Sequence, residues 1–97
     1  MGYRLSQAAE NDLIDIYARG LSLFGDEQAE RYFQTLTGAL EFLADHPFSA
    51  RERLEISPPV RCHPHGRHII IYLVEEDEQV FILRVRHVRE DWKGPAP

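Results

Sequence analysis

The chain is 97 residues long, with 43% apolar and 28% charged residues and a formal charge of −5. That is the length of one domain with a single core, an ordinary soluble composition, and a charge that argues against general nucleic-acid binding. There is no apolar run of about 18 residues for a helical membrane span and no basic-then-apolar leader, and the lone cysteine, Cys62, excludes an internal disulfide and points to a reducing cytoplasm.

In chain order, Tyr3-Arg4-Leu5 is a short strand that must pair elsewhere in the chain. Ser6 is a helix N-cap. A helix is predicted from Gln7 to Leu23, with Ala9, Leu13, Ile16, Tyr17 and Leu21 at helical spacing and Ile14 widening the stripe. Asp12, Asp15 and Arg19 fall on its other side. Gly25 suits the end of this helix and Asp26 the cap of the next. The second helix is predicted from Glu27 to Ala44 or Asp45, on a stripe of Ala29, Tyr32, Phe33, Leu36, Leu40 and Leu43. Gly38 is expected to mark a close approach, and Pro47 ends the helix. The two helices form an antiparallel hairpin. Phe48 to Pro59 is a connector, stiffened by Ser57-Pro58-Pro59.

Arg61 to Trp92 reads as a β-meander. Arg61-Cys62-His63 is a short strand, Pro64-His65-Gly66 a turn, Arg67–Val74 a β-branched central strand, Glu75–Glu78 an acidic turn and Gln79–His87 the last strand. Strict alternation sends Phe81, Leu83 and Val85 toward the helices. It leaves Val80, Ile82, Arg84 and Arg86 on an uncovered face that begins apolar and ends cationic. The expectation is an α+β domain spanning residues 1–97 in the order β-α-α-β-β-β, with helices on one face of a mostly antiparallel four-stranded sheet and residues 93–97 frayed.

The acidic excess lies in residues 1–59, where ten carboxylates meet five arginines; the meander is balanced only by its acidic turn. Its chemistry is therefore carried by Arg and His. Arg67, Arg84, Arg86 and His87 have the composition of a phosphate site with one titrating group. For a second titrating group Tyr72 and Glu90 are available, and the spacing selects neither. Surface arginines paired with the acidic helices fit equally. His63-x-His65-x-x-His68 has metal-like spacing, but a turn with Pro64 and Gly66 intervenes and no second Cys/His pair completes it, so turn histidines are expected and no metal or cofactor. Tyr17, Tyr32 and Phe33 read as core residues.

The element order, together with IYARGLSLFG (Ile16–Gly25), RCHPHGRHIIIY (Arg61–Tyr72) and VFILRVRHVREDW (Val80–Trp92), resembles the RelE/ParE toxin superfamily, and the ending RVRHVREDW resembles its ParE branch. The resemblance runs from Tyr3 to Trp92. It implies the toxin of a type II toxin–antitoxin operon that inhibits DNA gyrase without being an enzyme. Its partner would be a ParD-like antitoxin, which alone touches operator DNA. With the uncovered face derived above, it places the antitoxin on Arg67, Ile69, Ile71, Leu73, Val80, Ile82, Arg84 and Arg86, and the target on His87, Arg89 and Trp92. RelE-type relatives cleave mRNA on the ribosome; that alternative would use Arg67, Arg84, Arg86 and His87. Val88 stands where such nucleases carry a tyrosine, and lysine is nearly absent, so no residue is carried over as catalytic. A degenerate toxin retained as a co-repressor is the remaining reading.

Overall fold

The structure, a computed structural model, describes residues 2–90; the expected frayed tail and Trp92 lie outside them. Its elements are β1 (Tyr3–Leu5), α1 (Gln7–Phe24), α2 (Asp26–Asp45), β2 (Glu52–Arg53), β3 (Val60–His65), β4 (His68–Val74) and β5 (Val80–His87). The strands form one sheet in the order β1-β5-β4-β3-β2, antiparallel except for β1 on β5. Among the described residues the sheet thus has five strands, not four. The additional strand, β2, is a two-residue pairing inside the expected connector and too short to show any periodicity. β3 also runs through Pro64 into His65, leaving Gly66 and Arg67 as the turn. Proline is tolerated because β2 ends opposite Arg61, so the Pro64 nitrogen faces an unpaired edge. Among the described residues no helix is long and apolar enough to cross a membrane.

The core lies between the helices and one sheet face. Ala9 and Leu13 from α1 and Leu36, Ala39, Leu40 and Leu43 from α2 meet Ile70, Tyr72, Val80, Ile82 and Val85. Each fully buried leucine contributes about 1.5–3 kcal/mol of transfer free energy. Tyr72 spends its hydroxyl on the Pro47 carbonyl at 3.0 Å, tying the chain after α2 to the sheet.

Three helix expectations are corrected. Ile14 is 67% exposed and does not widen the stripe. The close approach of the hairpin is at Gly20, where a Cβ would stand 3.2 Å from the Ala29 Cβ, whereas Gly38 faces open space. Gly25, at φ +88°, serves both helices: its N–H donates to the Leu21 carbonyl and its carbonyl accepts the Ala29 N–H. Asp26 is therefore the first residue of α2 and not its cap.

The main difference from the sequence reading is a β-bulge. Ile71 pairs with Arg84, but Tyr72 pairs with Ile82, so Leu83 is an extra residue in β5. The bulge reverses the alternation. Val80 and Ile82 point into the core and are fully buried; they do not belong to the uncovered face. Phe81 takes the opposite face, beside Leu73, with the Arg4 guanidinium 4.2 Å over its ring. Val85 faces the helices as expected, and Arg84 and Arg86 stay on the other side of the strand.

Ser6 joins the bulge to the first helix. Its hydroxyl accepts the Ala9 N–H at 2.9 Å and donates to the Leu83 carbonyl at 2.7 Å. Ser6→Ala is expected to lose about 1–2 kcal/mol of stability, a helix cap and a hydrogen bond together. Urea denaturation checks this; an unchanged midpoint would mean that neither bond contributes.

Candidate functional site

β1 accompanies β5 only as far as Ile82, after which Ser6 turns the chain into α1. From Leu83 onward that edge of β5 has no neighbouring strand among the described residues. Asp12 fills the gap. Its carboxylate accepts the Val85 N–H at 3.0 Å, Arg84 Nε and Nη2 at 2.8 and 2.9 Å, and Arg86 Nη1 at 3.4 Å. Burial alone would raise the Asp12 pKa. The hydrogen bonds from Arg84 and Val85 and the charges of Arg84 and Arg86 outweigh it and hold the carboxyl below its usual value. The same bond raises the pKa of Arg84 further. Arg86 also pairs with Glu90, which in turn accepts the His87 N–H at 2.9 Å. The two β5 arginines of the phosphate-site reading are thus committed to carboxylates within the chain.

A cleft of about 810 Å³ opens between the hairpin turn and this end of the sheet. Ile16, Leu23, Phe24 and Phe33 form its apolar wall. Tyr32, His68, His87 and Arg67 face them. Tyr32 organises the polar side. Its hydroxyl donates to the His65 carbonyl at 3.2 Å, accepts the Arg67 N–H at 3.3 Å and lies 2.7 Å from His68 Nδ1. The 2.7 Å contact occupies His68 Nδ1 whichever of the two groups donates, so Nε2 is the ring nitrogen left for another partner. Burial raises the Tyr32 pKa against the opposing effect of Arg67. Burial, then the neighbouring His87, His65 and Arg67, lower that of His68, with Glu90 opposing. His68 is therefore neutral near pH 7.

The His87 ring stands edge-on to His68, 5.5 Å away, and its Nδ1 accepts the Arg89 N–H at 3.1 Å. Neutral His87 consequently carries its proton on Nε2. Arg67 is exposed in the β3–β4 turn, 5.5 Å over the Phe24 ring.

Of the polar residues singled out from the sequence, Arg67, His68, Arg86, His87 and Glu90 line this cleft, with Asp12, Asp15 and Arg19 from α1. Arg67 lies in the turn on the hairpin side, away from the open sheet face. Ile69, Ile71 and Leu73 lie on that face, opposite Arg86, Arg84 and Phe81. Arg89 is exposed, and Trp92 is outside the described residues. Of the metal-spaced histidines, His63 faces the Phe42 ring, while His65, bonded to the Thr35 hydroxyl, and His68 both pack against Tyr32. Among the described residues no three His, Cys, Asp or Glu side chains are grouped to hold a metal. Tyr72, offered as a second titrating group, is buried on Pro47 and does not enter the site.

The sequence reads Tyr32 as core, His68 as a turn histidine and Asp12 as a residue of the other helix side, and misses the part each plays here. Tyr32 is hidden by the apolar stripe on which it lies. The signal that could have found it is Gly66, at φ +55°, where a Cβ would come within 2.9 Å of the Tyr32 ring. A glycine between two histidines in a strand turn suggests something close above it.

The sequence matches the profile of the ParE toxin of type II toxin–antitoxin system, parDE, over residues 3–92. It is 34% identical over 85 residues to Toxin ParE1 of Caulobacter vibrioides, covering 88% of this chain and 86% of that one. It is 34% identical over 89 residues to Toxin ParE1 of Mycobacterium tuberculosis, covering 92% and 91%. Among solved structures, one described as the chromosomal ParDE TA system from P. aeruginosa superposes with a TM-score of 0.76 over 92% of this chain and 97% of that one, at 23% identity, a likeness of fold. The chain belongs to the ParE family of toxins of type II toxin–antitoxin systems.

Proposed function

We propose that this chain is the toxin of a parDE-type pair, that it acts by binding DNA gyrase and not by catalysis, and that a ParD-like antitoxin silences it. The match to the ParE toxin family across residues 3–92 carries the reading. The geometry supports the non-enzymatic part, because Arg84 and Arg86 are held by Asp12 and Glu90 and are not free to meet a phosphate. The antitoxin segment lies across the open sheet face, on Ile69, Leu73 and Phe81; Val80, Ile82 and Ile71 are buried and drop out of the surface. A largely apolar segment that orders on this face would bind by coupled folding. The target surface is the end of β5 and beyond, with His87 and Arg89.

The test is induction of the chain alone in bacterial cells, with a DNA-damage reporter and protein synthesis followed together, beside a supercoiling assay with purified gyrase. Growth arrest with a damage response and continuing translation is the expected result, relieved by the antitoxin. Unaltered supercoiling at large molar excess of toxin overturns the gyrase assignment.

One observation favours a second reading, ribosome-dependent mRNA cleavage: Tyr32, His68 and His87 converge beside Arg67. It requires rapid loss of translation with cut mRNA, abolished by His87→Ala and by Arg67→Ala. A chain that causes no arrest is left with the co-repressor role.

A further inference from the structure

The cleft has a volume of about 810 Å³, within the span of roughly 300–1,000 Å³ typical of small-molecule sites. Its carboxylates are all engaged. Asp12 holds Arg84 and Arg86, Asp15 holds Arg19 at 3.0 Å, and Glu90 holds Arg86 and the His87 N–H. Arg67 is the cation of the cleft that meets no carboxylate among the described residues. Beside it, His87 offers Nε2–H as a donor, because its Nδ1 already accepts the Arg89 N–H, and His68 offers Nε2, because its Nδ1 is already bonded to Tyr32.

Across from these groups the wall is apolar and open to solvent, with Leu23 71% and Phe24 45% exposed. A bare anion would use the donors and leave the wall in water. A flat apolar ligand would do the reverse. The chemistry that satisfies both sides has an anionic group for Arg67 and His87, a hydroxyl, which can donate or accept, for His68 Nε2, and a flat ring for Phe24. We propose that this cleft binds an organic phosphate of the nucleoside monophosphate class, with the phosphate on Arg67 and His87 Nε2, a ribose hydroxyl on His68 Nε2 and the base against Phe24. This goes beyond target and antitoxin binding and depends on neither.

The test is titration of the whole chain with AMP, adenosine and inorganic phosphate, read by calorimetry and by amide NMR. AMP is expected to bind one to one, at least about tenfold more tightly than either fragment, with shifts at Phe24, Arg67, His68 and His87. Arg67→Gln, a change at an exposed turn position, is expected to weaken AMP at least about fivefold and leave adenosine unaffected. Phe24→Ser is expected to weaken AMP and adenosine alike. AMP binding no tighter than inorganic phosphate, or unchanged by Arg67→Gln, overturns the proposal. So does a 5′-phosphorylated trinucleotide that binds more tightly than AMP, which would make the ligand a strand end and not a free nucleotide.

Discussion

Asp12→Ala is expected to destabilise the fold by about 2–4 kcal/mol, far more than loss of a surface ion pair, for which about 0–1 kcal/mol is usual. The difference lies in what the carboxylate does. Its side chain is only 11% exposed, and it is the acceptor for the Val85 N–H on a strand edge that β1 does not reach. Alanine would leave that buried donor and the Arg84 guanidinium uncompensated, while Arg86 keeps Glu90. The arginines retain access to water, which keeps the cost below that of a fully buried pair. Asp12→Asn keeps an acceptor for Val85 and loses the charge, so it should cost about half as much. The pH dependence has a definite sign. The folded-state pKa of Asp12 lies below its unfolded value, so its contribution is present above the ordinary carboxylate pKa and is lost as pH falls through the lower folded value. Urea denaturation of wild type and Asp12→Asn from neutral to acid pH should give curves that converge at the acid end. A change under about 0.5 kcal/mol for Asp12→Ala at neutral pH would show that the edge is closed without it.

The helical hairpin and the meander were legible because each is written in a local period. Ala29, Leu36, Leu40 and Leu43 repeat at three-four spacing over one element, and all four are buried. The faces of β5 were not legible, for an identifiable reason. Period-two reading assumes one residue per position, and Leu83 breaks that count. Because Val80, Phe81, Ile82 and Leu83 are all apolar, their pattern cannot reveal which pair faces the core. Asp12 was misplaced on the solvated side of its helix since its partners, Arg84 to Arg86, lie more than 70 residues away. Only the tertiary docking of α1 on the open edge of β5 brings them together. Gly20 and Gly38 look alike in sequence, and only where the hairpin crosses distinguishes the contact from the exposed position. Tyr32 combines both difficulties, as its ring sits on an apolar stripe while its hydroxyl serves a turn 33 to 36 residues away.

Gly66→Ala is expected to cost about 2–3 kcal/mol and to disorganise the polar side of the cleft. Two separable causes combine. The backbone sits at φ +55°, where an L side chain carries a penalty of about 1–2 kcal/mol. The new Cβ would also stand 2.9 Å from Tyr32 Cε1 and from its hydroxyl, so the ring must move. Movement breaks the bonds to the His65 carbonyl, the Arg67 N–H and His68 Nδ1 at once, because one hydroxyl makes all three. A double-mutant cycle separates strain from contact. In a Tyr32→Ala background the ring is absent, so Gly66→Ala should cost only the backbone part, about 1–2 kcal/mol. Equal costs in both backgrounds would mean that the turn is strained but that Tyr32 yields freely. Unequal costs would establish that α2 reads the conformation of the β3–β4 turn through a single hydroxyl. The placement of Arg67 and His68 would then be a property of helix–sheet docking, and any ligand or partner that engages them would be sensitive to substitutions in the hairpin that it never touches.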